Sequence, residues 1–252
     1  MKNCSVSIPR ITSVSSRLSS SKKLSTAAVA TLFCLLAVAL PGVASAYDVG
    51  ADFSTASNPN GVWSYGWSTT LGAAFNLDTS NTTSAYGQSG LGGWFSSQTA
   101  EGNPDALHNS TASPITIGST TYQPGQLTLN PNDKNASEYS VVRWTAPSSG
   151  SFSIAATFSG ASSIGDSVDV HILRNGVSIF DSIVFPNPTS YSAAQNLTAG
   201  DTIDFAVGFG SNGNDHEDTT TLAATIVPEP GTSGLVGAGL GCLFVLGFLK
   251  RK

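Results

Sequence analysis

Short runs of alternating apolar and polar residues fill the middle of the chain, and Gly, Pro, Asn and Ser separate them. Alternation with a period of two is typical of β-strands that bury one face, whereas almost no segment has the 3.6-residue apolar period of an amphipathic helix. The pattern therefore predicts an all-β protein, and the spacing of the runs is that of a single antiparallel β-sandwich. The clearest predicted strands are residues 139–145, 151–158, 167–173, 177–185, 191–197, 202–208 and 219–226.

Turn-forming residues support the limits of these strands. Asn175-Gly176 predicts a tight hairpin of the type I′ class, because both central positions of that turn need a positive φ. Residues 146–150 separate two strands, and residues 199–201 are predicted to close another hairpin. The first half of the chain is expected to supply edge strands and long loops over one end of the sandwich. Its weaker strand candidates are residues 73–77, 91–96 and 115–117.

Residues 1–46 have the order of a signal peptide: a basic stretch, an apolar run over about 24–40, and small residues before a cut. Ala44 and Ala46 occupy the two positions that a signal peptidase pocket must accommodate, so cleavage is expected before Tyr47. Signal peptidase is therefore an expected processing partner. A permanent N-terminal membrane anchor is the alternative.

The C-terminal segment, residues 227–252, has three parts in a fixed order. They are the tripeptide Pro228-Glu229-Pro230, a charge-free, glycine-rich stretch over about 234–249, and the tail Lys250-Arg251-Lys252. The middle part is short for a transmembrane helix, which usually needs about 20 apolar residues, although glycine is tolerated in membrane spans. Because the terminal cations should stay in the cytoplasm, the body, residues 47–226, is expected on the outside.

Together these three parts resemble the PEP-CTERM sorting signal. The tail also resembles the segment called the ice-binding protein C-terminal domain, a name that says nothing about the rest of the chain. The resemblance implies a Gram-negative bacterium and processing by an exosortase, a membrane transpeptidase. It further implies transient anchoring in the inner membrane, removal of the tail near the tripeptide, and release to, or attachment at, the outer surface in company with exopolysaccharide. A plain membrane anchor that stays in place is the alternative.

The exported body is strongly acidic. Residues 47–230 contain all sixteen acidic residues of the chain and three of the eleven basic ones, so the net charge of this part is about −13. Such a surface repels nucleic acid and anionic lipid, and nucleic acid is therefore excluded as an expected partner. The three cysteines all lie in the two targeting segments, so no disulfide can link parts of the body.

Three segments of the body resemble motifs of a β-sandwich module found in bacterial surface proteins, which is similar to jelly-roll carbohydrate-binding domains. They are residues 61–66 (GVWSYG), 141–147 (VVRWTAP) and 199–205 (AGDTIDF). The resemblance implies a jelly-roll-like sandwich with a glycan ligand.

Trp63, Tyr65 and Trp67 alternate in the sequence, so in a strand their side chains would share one face. A flat aromatic row is a surface on which the apolar face of a sugar stacks, and Trp94 is a candidate to extend it. The alternative is that these rings fill the core, where Trp144 is also expected.

Residues 212–218 place six oxygen- or nitrogen-bearing side chains before the last predicted strand. Hard oxygen ligands on a flexible, glycine-containing loop suit calcium, although the spacing is not that of an EF-hand. A solvated hairpin loop is the alternative. The candidate calcium ligands are Asn212, Asn214, Asp215, Glu217 and Asp218.

Familiar local signatures of catalysis are missing from the sequence. The three histidines lie outside any metal-binding spacing, and no nucleophile has an adjacent base motif. Acidic pairs three residues apart are interpreted as strand ends and turn caps; they are Asp166 with Asp169 and Asp201 with Asp204. The sequence therefore predicts a non-catalytic surface protein that associates with exopolysaccharide or extracellular matrix by binding glycan. The alternatives are a purely structural or adhesive surface protein, or a secreted glycoside hydrolase.

Overall fold

β-Strands make up nearly all the regular structure of the computed structural model, which describes residues 45–96, 104–132, 135, 137–164, 167–210 and 217–230. All of these residues belong to one compact unit spanning residues 41–235. The predicted signal peptide up to Ala44 and the predicted membrane segment and basic tail lie outside the described residues. Within the described ranges, no helix is long and apolar enough to cross a membrane.

The strands are named here in chain order. They are β1 (Tyr47–Asp48), β2 (Trp63–Ser68), β3 (Asn76–Leu77), β4 (Ser80–Thr82), β5 (Leu91–Phe95), β6 (Asp105–Asn109), β7 (Ile115–Ile117), β8 (Thr120–Tyr122), β9 (Leu127–Asn130), β10 (Tyr139–Thr145), β11 (Gly150–Gly160), β12 (Val168–Arg174), β13 (Val177–Val184), β14 (Thr189–Leu197), β15 (Thr202–Gly208) and β16 (Thr220–Pro228). A 3₁₀ turn, Ala85–Gly87, lies between β4 and β5.

Two antiparallel sheets face each other. One has the strand order β14-β11-β16-β9-β6-β5-β4, with β1 also paired to β16, and the other has the order β13-β12-β15-β10-β2-β3. The hairpin β7-β8 stands apart from both sheets. The protein is therefore an all-β sandwich, as the alternating pattern predicted.

The core lies between the sheets and comes from the inward residue of each alternating pair. In β11, for example, the alternate residues Phe152, Ile154, Ala156 and Phe158 are buried while the residues between them face outward. Trp144 of β10 meets Phe152 of β11 edge to face, with ring centroids 5.2 Å apart. This contact joins the two sheets and confirms that Trp144 is a core residue.

A second, smaller core covers the outer face of β5 and β6. Leu91, Phe95 and Leu107 are buried there against Tyr122 of the β7-β8 hairpin and Ala85 of the 3₁₀ turn. The hairpin thus closes a face of the larger sheet that would otherwise meet water.

The strand predictions for the second half of the chain are confirmed, and each predicted boundary falls within about two residues of the observed one. The type I′ hairpin is confirmed too, since Asn175 and Gly176 have φ values of 51° and 80°. The hairpin predicted at residues 199–201 is wrong. β14 and β15 belong to different sheets, and Gly200 donates instead to the carbonyl of Ala146.

The expectation that residues 47 to about 126 supply edge strands and long loops is wrong for two strands. β2 and β6 each lie between two other strands, and almost all of their residues are buried. Burial on both faces removes the period-two alternation that marks a half-exposed strand, so β6 gave a weak pattern in the sequence.

Candidate functional site

The aromatic row predicted for sugar stacking is part of the core. Trp63 is 1% exposed, Tyr65 is 0% exposed and Trp94 is 5% exposed, so no ligand can lie on their rings. Trp67, at the end of β2, is half-buried. The alternation of these residues was interpreted correctly as one strand face, but that face points between the sheets. The stacking surface is therefore a wrong prediction for Trp63, Tyr65 and Trp94.

The buried tryptophans instead hold the segment that follows β1. The indole Nε1 of Trp63 donates to Asp52 Oδ2 at 3.1 Å, and Nε1 of Trp94 donates to the carbonyl of Ser54 at 2.8 Å. Phe53, between these two acceptors, packs on Tyr65 with ring centroids 5.0 Å apart. This aromatic group has a structural role.

A groove of about 520 Å³ lies on the outer face of β14, β11 and β16, and we call it the outer groove. Its floor is apolar, because the exposed residues Ala155 and Ala223 carry only methyl groups. Hydroxyl side chains flank the floor, and the residues that carry them are Thr157, Ser190, Ser192 and Thr225.

Strand register brings these residues together. Ala155 of β11 pairs with Ser192 of β14 on one side and with Thr225 of β16 on the other. Two residues further along β11, Thr157 pairs with Ser190 of β14 and Ala223 of β16. The hydroxyl oxygens of Thr157 and Ser190 are 2.9 Å apart. Small side chains at outward positions of three adjacent strands therefore leave a shallow channel.

One wall of the outer groove is formed by the turn after β1 and the loop before β9. Gly50 and Gly125 approach so closely that a Cβ on Gly50 would lie 2.6 Å from the carbonyl oxygen of Gly125. Asp48 and Gln126 add polar groups to this wall. Tyr191 also lines the groove but turns its ring toward Phe180, 5.5 Å away between centroids. The groove thus offers methyl groups and hydrogen-bonding groups without a stacking ring.

Two buried acids, Asp78 and Asp105, lie where the sheets join. Asp78 lies between β3 and β4, where the chain passes from one sheet to the other, and Asp105 opens β6. Burial raises the pKa of Asp78 to about 8. Burial also raises the pKa of Asp105 well above its usual value, and the charge of Asp78 adds to this effect, while hydrogen bonds from Asn130 and Tyr86 oppose it. Both side chains are 1% exposed, so a substrate cannot reach them.

The predicted calcium loop falls mostly outside the described residues. Asn212, Asn214 and Asp215 are not described, whereas Glu217 is half-buried and Asp218 is fully buried. In the part of the chain that is described, no three His, Cys, Asp or Glu side chains converge as a metal site. Calcium binding by this loop stays a prediction.

Of the acidic pairs noted in the sequence, Asp201 and Asp204 have structural partners. Asp201 accepts hydrogen bonds from the backbone of Thr198 and from Arg174 and Asn175, so its interpretation as a turn cap is confirmed. Asp204 forms a bidentate pair with Arg143. Asp166 lies outside the described residues.

His171 is held between two carboxylates on the outer face of the smaller sheet, an arrangement that the sequence did not reveal. Its Nε2 lies 3.0 Å from Asp169 Oδ2, and its Nδ1 lies 2.6 Å from Asp181 Oδ1. Tyr139 donates to Asp169 at 2.8 Å, and Ser178 donates to Asp181 at 2.6 Å. Register across β12 and β13 creates this cluster, since His171 pairs with Asp181.

These contacts favour the charged imidazolium. Burial lowers the pKa of His171, but the hydrogen bonds and charges of Asp169 and Asp181 outweigh it, and the net pKa is raised. Both ring nitrogens are engaged, so His171 cannot act as a general base here. The cluster is a structural clamp between β12 and β13.

Replacing His171 with Gln is expected to destabilise the protein most at mildly acidic pH, by about 1 kcal/mol. A raised folded pKa gives stability that is fully present below the unfolded value near 6.5 and is lost as pH rises through the folded pKa. The difference in melting temperature between the parent and His171→Gln should therefore be larger at about pH 5.5 than at about pH 9. A difference that stays constant across this range would contradict the charged clamp.

Comparisons with known proteins give no family assignment. No family model matches the chain, and no curated protein matches it significantly. Among solved structures, it is similar to a family 35 carbohydrate-binding module from Clostridium thermocellum, with 19% identity and a TM-score of 0.29, over 45% of this chain and 85% of the module. It is also similar to the CBM51 module from Clostridium perfringens GH95, with 8% identity and a TM-score of 0.34, over 73% of this chain and 99% of that one.

Other similar structures include the C-terminal CBM6 of a marine laminarinase from Zobellia galactanivorans, with 15% identity and a TM-score of 0.25, over 40% of this chain and 79% of the module. Rabbit GITRL is similar at 10% identity and a TM-score of 0.27, over 50% of this chain and 84% of that one. Because all of these TM-scores are low, the matches carry no argument about function. The class that the fold itself defines is an antiparallel β-sandwich protein.

Proposed function

We propose that this chain is an exported, non-catalytic β-sandwich module that binds a glycan in the outer groove. The proposal rests on the composition of the outer groove. Ala155 and Ala223 form its apolar floor, and hydroxyl side chains flank that floor. Sugars present the same combination of C–H surfaces and hydroxyl groups. An open groove on a sheet accepts an extended polymer without a closed pocket.

Charge narrows the class of glycan. Residues 47–230 carry a net charge of about −13, from three basic and sixteen acidic residues. A polyanionic chain rich in uronic acid would be repelled by this field, especially at low salt. A neutral polysaccharide, or a neutral stretch of the producer's exopolysaccharide, therefore fits the outer groove best.

The sorting part of the proposal rests on the PEP-CTERM resemblance and gains support from the position of its tripeptide. Pro228 ends β16, the backbone N–H of Glu229 donates to Ser151 at 2.8 Å, and Ser153 donates to the Glu229 carboxylate. Cleavage after Pro230 would leave β16 complete. Exosortase would then release or attach a finished sandwich at the outer surface.

Filling the floor of the outer groove should abolish binding. In residues 47–230, Ala155→Lys and Ala223→Lys are each expected to weaken binding to the producer's exopolysaccharide by at least about tenfold, or about 1.4 kcal/mol. Both positions are exposed, so the free energy of unfolding should change by no more than about 0.5 kcal/mol. Affinity electrophoresis and thermal melts measure the two quantities.

Ala194→Lys is the matched control. Ala194 is exposed on the outer face of β14, next to Ser153, and does not line the outer groove. The control adds the same charge and should bind as the parent does. Equal loss in all three variants, or unchanged binding in both groove variants, would overturn the proposal.

A purely structural surface protein remains the second candidate function. The edge strand β13 favours it, because Val177 and Ile183 are exposed there at 69% and 48%. Exposed apolar residues on a sheet edge promote association between chains. A parent protein that binds no polysaccharide but self-associates in sedimentation experiments would favour this alternative.

A further inference from the structure

We propose that Asp78 and Asp105 form a binding site for a hard divalent cation, of the calcium type, at the junction of the two sheets. Its proposed ligands, Asp78 and Asp105, are different residues from those that line the outer groove and from the candidate calcium ligands at 212–218. The proposal does not depend on glycan binding. The cation would have a structural role, since the site is closed to substrate.

Unpartnered oxygens are the first argument. Both carboxylate oxygens of Asp78 and Oδ1 of Asp105 are buried, and none of them accepts a hydrogen bond within the described structure. A buried carboxylate without a partner costs several kcal/mol, so native proteins pair such groups with a cation, a donor or a proton. A short chain of contacts joins the two acids: Asp78 bonds to β2, β2 pairs with β10 at Ser140, and Ser140 donates to Asp105. One cation could therefore serve the three unpartnered oxygens.

The second argument is that no basic side chain supplies this partner among the residues described. Arg143 forms an ion pair with Asp204 at 2.7 Å, and Arg174 forms an ion pair with Asp201 at 3.1 Å. The backbone around Asp78 is fixed as well, because its N–H donates to the carbonyl of Tyr65 and its own carbonyl accepts from the side-chain amide of Asn58. The Asp78 carboxyl therefore stays buried between the sheets.

Oxygen atoms also lie beside the two acids. The Tyr86 hydroxyl is 3.5 Å from Asp105 Oδ2. Asn130, on the strand next to β6, donates its amide N–H to Asp105, and its side-chain oxygen accepts from Thr219. Carboxylate, amide and hydroxyl oxygens suit calcium rather than zinc, which prefers nitrogen and sulfur ligands. Two carboxylates would neutralise the two positive charges of the ion.

A cation at this place would link the sheets. Ser140 of β10 donates to the carbonyl of Asp105 at 2.7 Å, so the smaller sheet touches β6 at that residue. Asp78 belongs to the crossing segment between β3 and β4. An ion held by both acids would fix the crossing segment to the larger sheet.

The test measures calcium binding and thermal unfolding of the full chain at a fixed pH of about 7.5, after treatment with a chelator. We expect one saturable calcium site by calorimetry and a melting temperature that rises by roughly 3–6 °C at saturating calcium. Asp78→Asn and Asp105→Asn should each abolish both effects. Terbium luminescence, sensitised by nearby tyrosine such as Tyr86, gives a readout that does not depend on unfolding.

Two matched variants separate this site from others. Asp181→Asn removes a carboxylate that is 62% exposed on the other sheet, and it should leave calcium binding unchanged. Asp215→Asn tests the 212–218 loop and should also leave binding unchanged. Loss of binding in Asp215→Asn with binding retained in Asp78→Asn would overturn the proposal. So would a parent protein that binds no calcium and becomes more stable on acidification, because a proton shared by the two acids would then explain their burial.

Discussion

Replacement of Trp63 with Ala is expected to lower the free energy of unfolding by about 3–5 kcal/mol, as large-to-small changes at fully buried aromatic positions do. Trp63 is 1% exposed, packs near Phe205 with ring centroids 6.4 Å apart, and donates to Asp52. The substitution leaves a cavity between the sheets and removes a hydrogen bond that holds the segment after β1. Urea unfolding followed by tryptophan fluorescence or circular dichroism measures the loss.

The same variant tests the two interpretations of the aromatic row. Where enough folded protein remains, glycan binding by Trp63→Ala should match that of the parent, because the indole does not reach the surface. Trp63→Phe keeps most of the buried volume and should cost clearly less than the alanine variant. A Trp63→Ala variant that stays fully stable but loses glycan binding would support the sugar-stacking interpretation, which the burial of Trp63 contradicts.

Replacement of Arg143 with Ala is expected to cost about 2–4 kcal/mol, the second-largest effect. Arg143 Nε and a terminal nitrogen donate to the two carboxylate oxygens of Asp204 at 2.7 and 2.8 Å, and its guanidinium lies 4.3 Å from the centroid of the Phe75 ring. Asp204 is 8% exposed, so removing its partner leaves a nearly buried charge unpaired. Denaturant titration at neutral pH measures the change.

A double-mutant cycle shows what this pair contributes. The double variant Arg143→Met with Asp204→Leu removes both charges and should be clearly more stable than Arg143→Ala, because apolar groups of similar size replace buried ion pairs at little cost. Arg143→Lys should be intermediate, since an ammonium group cannot make the bidentate contact. A double variant no more stable than Arg143→Ala would mean that packing on Phe75, rather than charge, sets the effect.

The outer groove illustrates why the candidate binding site could not be read from sequence. Ala155, Ser192 and Thr225 are unremarkable one at a time, and each lies in a strand that the alternating pattern predicted. A row of small outward residues in adjacent strands would have been the signal, but adjacency depends on which strands pair. The sequence instead predicted a stacking surface from large aromatic residues, because such residues are common both in cores and in glycan sites.

The proximity of the two buried acids could not be predicted from the sequence either. Asp78 and Asp105 are 27 positions apart in sequence, and nothing in either neighbourhood marks them as partners. Their proximity comes from the passage of the chain between β3 and β4 and from the contact between β10 and β6. Likewise, nothing in the sequence links His171 to Asp181, and only the register of β12 with β13 places them side by side.

What the sequence determined by itself were local properties: the strands of the second half, the Asn175-Gly176 turn, the core position of Trp144 and the strongly acidic charge. These follow from side-chain alternation and backbone preference, which act over a few residues. The tertiary structure alone decided which sheet each strand joined, which face of β2 was buried, and which side chains met across strands. Those outcomes depend on burial and pairing between distant segments, and both candidate sites of this protein arise from them.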